Sequence, residues 1–159
     1  MSIKNRFLKR SIPMVLPLLI LASLSTQSLA QETQGPSLYE RLGGYDAVSA
    51  VVDDFADRLF ADPVIGSRFT RGMGTETRRQ FRQKNKNLVC HLTGGPCEII
   101  SRPPDVAHQG LGITQEEFNI LMGHFADTLD AFDVPEAEQR ELTTIYEGFR
   151  SEIVDRDNQ

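Results

Sequence analysis

The three histidines of this 159-residue chain are its best candidates for binding a metal ion, because a neutral imidazole nitrogen ligates transition metals. His91 and His124 have no second ligand at suitable spacing, so we expect each to serve at the surface or in packing. His108 differs, because glycines follow it closely and a long segment with one apolar face comes next. The residues alone leave open whether its imidazole binds a metal or packs as an ordinary side chain.

Two amphipathic helices are predicted ahead of His108. In the first, apolar residues recur at three- and four-residue steps from about residue 48 to residue 59, and Asp62-Pro63 stops the pattern. The second runs from about residue 76 to residue 92 and ends at Gly94-Gly95-Pro96. Phe69 falls between these helices, in a connecting segment rich in glycine and arginine.

Two more helices are predicted after His108, which itself belongs to a short helical piece. Thr114 and Glu117 form a capping-box pattern that opens a long helix with an apolar stripe. Pro135 suits the first turn of a last helix, whose apolar residues continue to Ile153. Four amphipathic helices with short links predict an all-α domain of two packed layers.

The first 30 residues have the pattern of a cleaved export signal. Four basic residues precede an almost wholly apolar run, and Ser28 and Ala30 place small side chains where a signal peptidase reads them. The run is short for a bilayer span and polar residues follow it closely, so we expect no stable membrane anchor. After cleavage near Ala30 the protein is expected to be periplasmic or secreted, with a retained anchor as the alternative.

Removal of that segment leaves residues 31–159 as a single domain of acidic character. It holds 13 basic residues against 22 acidic ones, a net charge of −9. Such a surface repels phosphate backbones, so a nucleic-acid partner is disfavoured.

Cys90 and Cys97 are the only cysteines of the chain. No further cysteine or paired histidine stands at a spacing that would complete a soft-metal site. An exported protein meets oxidising conditions, where a close pair is bridged rather than free. The sequence therefore predicts a disulfide, which closes a short loop and stabilises the fold by about 2–3 kcal/mol.

Four separated motifs, in order, resemble those of the group I truncated haemoglobins and together cover nearly all of residues 31–159. The resemblance is carried by Leu38-Tyr39-Glu40-Arg41-Leu42-Gly43-Gly44, by Val52-Asp53-Asp54-Phe55, by Thr93-Gly94-Gly95-Pro96 and by His108-Gln109-Gly110-Leu111-Gly112-Ile113-Thr114. It implies a truncated globin, a two-over-two helical sandwich that encloses haem b and binds oxygen, nitric oxide or carbon monoxide.

The resemblance also assigns the residues around the haem. His108 is implied to be the proximal iron ligand, and Phe69 to stack on the macrocycle. Phe81 and Asn85 are implied to line the distal side, and the proximal and inner walls are assigned to Phe118, Leu121 and Phe125.

The chain departs from the family where a bound ligand would be stabilised. Ala56 stands directly after Phe55, where the typical member has a tyrosine that donates to iron-bound oxygen. Phe81 and Asn85 replace distal glutamines, and Arg102 is the sole clear match to a stretch before the proximal histidine. A polarised donor is worth about 1–3 kcal/mol to bound oxygen, so faster oxygen escape or oxidation is expected. Asn85 either compensates as a donor or is bonded to backbone or solvent.

Lys84 is the candidate distal iron ligand, because some family members place a coordinating residue there. A lysine more often extends into solvent or meets a haem propionate. It also belongs to a cationic cluster that either pairs with propionates, docks an anionic or redox partner, or forms a solvated helix face: Arg71, Arg78, Arg79, Arg82, Lys84 and Lys86.

The leading prediction is therefore a monomeric haem protein that binds a diatomic gas and is not primarily an enzyme. The alternative is a redox, electron-transfer or nitric-oxide-detoxifying protein with six-coordinate iron, including nitric oxide dioxygenase or peroxidase-like side activity. A helical protein that kept the fold and lost the cofactor is a further alternative.

Overall fold

The computed structural model describes residues 35–155, and within that range the regular structure is helical without any strand. The helices are α1 (Leu38–Arg41), α2 (Gly44–Ala61), α3 (Gly66–Thr70), α4 (Thr75–Leu92), α5 (Pro104–His108), α6 (Gln115–Ala131), α7 (Glu136–Glu147) and α8 (Arg150–Ile153). The predicted all-α class is confirmed. The predicted export signal, residues 1–30, lies outside the described residues.

The four long helices, α2, α4, α6 and α7, are the four that apolar periodicity predicts. Helix α2 packs against both α4 and α6, and α6 packs against α7. Their buried side chains form one core, to which α2 contributes the largest share: Val48, Val52, Phe55, Leu59, Val89, Phe125, Leu129 and Leu142. Among the described residues, no helix is both long enough and apolar enough to cross a membrane.

Two capping boxes start helices, and the one at Thr114 is where the sequence predicts it. The amide of Glu117 donates to Thr114 Oγ1 at 3.2 Å, while the Glu117 carboxylate accepts from the Thr114 amide at 2.9 Å. Ser37 and Glu40 make the same reciprocal pair at α1. Each box satisfies backbone donors that a helix start otherwise leaves unpaired.

The structure differs from the prediction at Phe69, which lies in helix α3 rather than in a connecting segment. The cause is Asp62, whose Oδ1 accepts hydrogen bonds from the amides of Val64 at 2.7 Å and Ile65 at 2.8 Å. A side-chain turn of this kind satisfies backbone donors and directs the chain into a new helical turn.

The last predicted helix is divided in two. Helix α7 ends at Glu147, Gly148 interrupts it, and α8 follows. The break lets the Arg150 guanidinium reach Gln115 Oε1 at 2.8 Å and Asn119 Oδ1 at 2.9 Å, both on α6. Pro135 is the N-cap of α7 rather than a residue of its first turn.

A glycine turn and a disulfide finish helix α4. Cys90 and Cys97 are bonded, as the sequence predicts, which ties the end of α4 to the loop leading to α5. The Tyr39 amide donates to the Thr93 carbonyl at 2.8 Å, and the Gly95 amide donates to the Cys90 carbonyl at 2.7 Å. Gly94 has a φ of +87°, a conformation that favours glycine over residues with a side chain.

Candidate functional site

A cavity of about 850 Å³ lies beside His108, with walls from helices α3, α4, α5 and α6 and from Ile153 of α8. Its volume lies in the range of small-molecule and cofactor sites. Most of its lining is apolar or aromatic, and the residues that matter most below are Phe69, Met73, Phe81, Ile113, Phe118 and Leu121.

His108 is half-buried at the end of α5, and its side chain lines this cavity. Its Nδ1 lies 2.7 Å from the carbonyl oxygen of Pro104. Because a carbonyl oxygen only accepts, Nδ1 must carry the proton in this contact. The neutral ring then has Nε2 unprotonated, which is how metal-ligating histidines are usually held by a backbone carbonyl.

Helix α5 is set in place by its ends rather than by buried side chains. Pro103 and Pro104 start the helix, and the Ala107 amide closes its turn on the Pro103 carbonyl at 2.9 Å. No residue of α5 is buried, and the helix packs against α8. Beyond His108 the chain turns at Gly110 and Gly112, whose φ angles are +72° and +61°.

The structure brings five of the predicted site residues together around the cavity: His108, Phe69, Phe81, Phe118 and Leu121. The Phe69 and Phe81 rings contact each other edge-on, with centroids 5.7 Å apart. Phe118 is only 2% exposed, and the Arg150 guanidinium covers its ring at 4.2 Å from the centroid. Aromatic rings from α3, α4 and α6 therefore all contribute to the cavity wall.

Three predicted site residues do not line this cavity. Phe125 belongs to the core between α2, α6 and α7, where its ring stacks on Tyr146 at 4.3 Å between centroids. The Asn85 amide donates to the Phe81 carbonyl at 2.9 Å, one helical turn back, which is the backbone-bonded alternative. Lys84 is exposed on α4, as a lysine extending into solvent would be.

Three of the six residues of the cationic cluster are paired with carboxylates within the protein. Arg79 pairs with Glu76, Arg82 with Asp57, and Lys86 with Asp53, at 2.6–2.7 Å between nitrogen and oxygen. Arg78 lies over the Phe60 ring. Arg71 is the one member of the cluster that lines the His108 cavity.

Other lining residues were not singled out from the sequence for this role. Arg68 and Glu117 form an ion pair at the cavity wall, and Met73 and Ile113 add apolar surface. Arg102, noted for the resemblance alone, lines the cavity as well. The sequence signal that could have pointed to Arg68 is a charged residue directly before a phenylalanine assigned to the cofactor.

Comparison with known proteins identifies the family. A model of the family described as bacterial-like globin matches residues 37–155. The group 1 truncated hemoglobin GlbN of Mycolicibacterium paratuberculosis is 34% identical over 112 residues, which cover 70% of this chain and 79% of that protein. The chain belongs to the group 1 truncated haemoglobins. A second relative, LI410 of Chlamydomonas moewusii, is 26% identical over 149 residues, which cover 92% of this chain and 85% of that protein.

Solved structures agree with this globin assignment. The 2/2 hemoglobin of Synechococcus sp. PCC 7002, solved in the cyanomet state with covalently attached heme, superposes with a TM-score of 0.69 at 26% identity. The match covers 76% of this chain and all of that one. The truncated hemoglobin of Tetrahymena pyriformis, at 23% identity and the same TM-score, supports the fold. The predicted truncated-globin fold is confirmed.

Membership of the family implies haem, and the cavity residues fit that group. A histidine with Nδ1 bonded to a carbonyl leaves Nε2 available to a metal ion, and a cavity lined by aromatic rings suits a flat macrocycle. Arg71 and Arg102 line the same cavity and have the forked donors that carboxylates prefer, so they suit the two propionates.

Proposed function

We propose that this globin binds haem b through His108 Nε2 and reversibly binds a diatomic gas, with oxygen, nitric oxide and carbon monoxide as candidates. The observation that carries the proposal is the contact between His108 Nδ1 and the Pro104 carbonyl at the wall of the large aromatic cavity. That contact sets the tautomer and leaves the second ring nitrogen for iron.

The cavity residues would divide the work of holding the cofactor. When bound, the haem iron supplies the gas-binding chemistry. Phe69, Phe81 and Phe118 would exclude water from the bound group, because their rings line the cavity. Arg71 and Arg102 would neutralise its propionates. Burial of the apolar faces supplies most of the affinity.

The proposal includes weak stabilisation of the bound gas. Ala56 is fully buried and has no donor, and the Asn85 side chain donates to a backbone carbonyl. A hydrogen bond from a polarised donor contributes about 1–3 kcal/mol, which is a factor of roughly 5 to 150 in dissociation rate. We therefore expect oxygen to dissociate faster from this globin than from relatives with a tyrosine after the position of Phe55.

We also propose that residues 1–30 are an export signal and that the protein works in the periplasm or outside the cell. The Cys90–Cys97 disulfide supports this location, because disulfides persist in oxidising compartments. Mass spectrometry of the protein recovered from the periplasm of an expressing bacterium should give a chain beginning near Gln31. A chain that keeps residues 1–30 and stays with the cytoplasmic fraction would contradict this part of the proposal.

The test of haem ligation is removal of the His108 side chain. We expect His108→Gly to lose the Soret band after haem addition and gel filtration, and added imidazole to restore it by replacing the missing ligand. His91→Gly is the matched control, because His91 is exposed and its ring bonds to the Cys97 carbonyl away from the cavity. It should keep a wild-type spectrum.

Two outcomes would refute the assignment. A His108→Gly protein that retains haem with an unchanged fifth ligand would remove His108 as the iron ligand. A wild-type protein that shows no Soret band after reconstitution would remove the haem function altogether. Lys84→Ala completes the set, since unchanged ferric and ferrous spectra are expected from a lysine that extends into solvent.

A further inference from the structure

The Arg68 side chain joins three parts of the cavity wall. It leaves α3 next to Phe69, and its Nη1 donates to the Leu111 carbonyl at 2.8 Å. Its Nη2 donates to the Gly112 carbonyl at 3.4 Å and to the Glu117 carboxylate at 2.8 Å. Its Nε donates to the other oxygen of Glu117. The planar guanidinium therefore uses all three of its nitrogens within the protein.

The two carbonyls that Arg68 binds belong to the segment that directly follows the proposed iron ligand. The Leu111 amide donates to the His108 carbonyl at 3.2 Å, so one hydrogen bond separates the Arg68 contact from the His108 backbone. This segment contains Gly110 and Gly112, both in the left-handed region, and a Cβ added at either would meet nothing within 4 Å. No close side-chain contact therefore holds the backbone at these two glycines.

Few other contacts restrain the segment. Helix α5 has no buried residue, and Leu111 is 53% exposed. The Asp155 amide donates to the Ile113 carbonyl at 2.9 Å and holds the far end. Among the described residues, the Arg68 side chain therefore connects the carbonyls in the middle of the segment to α3 and, through Glu117, to α6.

Other contacts hold the Glu117 carboxylate in place, and buried residues precede Arg68 at the start of α3. Thr114 orients the Glu117 carboxylate through the capping box of α6. Burial raises the pKa of Glu117, but the hydrogen bonds from Arg68 and Thr114 outweigh it and hold the pKa below its usual value. A carboxylate that stays charged and oriented gives the guanidinium a fixed partner. Arg68 itself follows Gly66 and Ile65, which are buried.

We propose that Arg68 is a positioning residue for His108: by binding the Leu111 and Gly112 carbonyls while paired with Glu117, it fixes the segment that presents the imidazole to the cavity. This inference rests on the haem function proposed above. It assigns Arg68 a different role from Arg71 and Arg102, because the Arg68 donors are already occupied by protein acceptors.

The first test uses protein without cofactor. Hydrogen–deuterium exchange of residues 109–113 should be at least tenfold faster in Arg68→Ala than in wild type, because the segment loses its middle restraint. Arg68→Lys should give an intermediate rate, since an ammonium cannot bind both carbonyls and the carboxylate as a fork does. Arg140→Ala is the matched control, an exposed arginine paired with Glu136 on α7, and should leave this exchange unchanged.

The second test uses the haem-loaded protein. Transfer of haem to excess apomyoglobin should be at least tenfold faster from Arg68→Ala, and the iron–histidine stretching band of the ferrous form should shift or broaden. Arg140→Ala should match wild type in both. The stretching band reports the iron–histidine bond itself, and a general loss of stability in a folded protein would not move it. Arg68→Lys supplies a variant that retains the charge and bulk of the side chain.

The outcomes separate this inference from the proposed function. If wild type takes up no haem, the proposed function fails and the inference fails with it. If wild type binds haem while Arg68→Ala matches it in both exchange and haem transfer, the inference alone is overturned. Faster exchange together with faster transfer and an altered iron–histidine band would establish Arg68 as a positioning residue.

Discussion

Replacing Gly95 with alanine should strongly destabilise this globin, although the change adds one methyl group. Gly95 lies in the turn after α4 with an ordinary negative φ, so the backbone alone would accept alanine. The neighbouring atoms, however, leave no room for the added methyl group. A Cβ at this position would lie 2.6 Å from Tyr39 Cδ2, 2.7 Å from the Cys90 carbonyl oxygen and 2.7 Å from Cys90 Sγ.

The expected size of the effect follows from what can move. Cys90 is fully buried, its sulfur is held in the disulfide, and its carbonyl accepts the Gly95 amide. Only the Tyr39 ring can yield, so two of the three close approaches must be relieved by shifting backbone. Overpacking of this kind costs about 1–3 kcal/mol, and we expect the upper end, about 3 kcal/mol. For a domain of this size that corresponds to a fall of about 10 °C in Tm.

Urea unfolding of cofactor-free protein is the appropriate assay, because a bound cofactor would add its own stabilisation. Gly123→Ala is the matched control: it lies inside α6, and a Cβ there meets nothing within 4 Å. Since glycine is a poor helix former, that variant should gain about 1 kcal/mol. A Gly95→Ala protein as stable as wild type would refute the steric reasoning.

Three further outcomes are expected. Reduction of the Cys90–Cys97 disulfide, which closes a loop between residues seven apart, should lower the free energy of unfolding by about 2–3 kcal/mol, and a double Cys90→Ser, Cys97→Ser protein should no longer respond to reductant. The Ser49 hydroxyl oxygen is buried without a hydrogen-bond partner, so Ser49→Ala should raise the free energy of unfolding by about 1 kcal/mol in urea titrations. A lower free energy of unfolding in this variant would show that the hydroxyl is satisfied. The pKa of Asp62 is lowered by hydrogen bonds from the Ile65 amide, then from His124 and the Val64 amide. Its charged form therefore stabilises the fold at pH values above the ordinary carboxyl range, and this contribution is lost as pH falls through the lowered pKa. Below about pH 4, the free energy of unfolding of Asp62→Asn should therefore fall less steeply with decreasing pH than that of wild type. Equal slopes for the two proteins would contradict this.

The long helices were predictable because each buries a stripe of apolar residues that recur three or four positions apart in the sequence. Val48, Val52, Phe55 and Leu59 recur at helical steps and all are buried against α4 and α6. Capping boxes and glycine turns are equally local, since their partners are three to five residues apart. The short helix α3 was missed because it depends on the Asp62 side chain accepting two particular amides.

The candidate site was predictable in part for the same reason. His108 stood out by its neighbours, and the phenylalanines by the resemblance, and the structure places four of these aromatic and apolar residues beside it. Arg68 did not stand out, because its partners Leu111, Gly112 and Glu117 lie 43 to 49 residues further along the chain. The orientations of Asn85 and Phe125 likewise depend on which face of α4 and α6 the neighbouring helices cover.

The four-residue helix α8 has a practical consequence for anyone producing this protein. Ile153 forms part of the cavity wall, Arg150 covers the ring of Phe118, and Val154 is buried. Loss of α8 would therefore remove part of the cavity wall and leave the four long helices intact. A stop codon after α7, or trimming by a carboxypeptidase as far as residue 150, would have this effect. We expect such a product to keep its far-ultraviolet circular dichroism and to bind haem less tightly than the protein that retains α8.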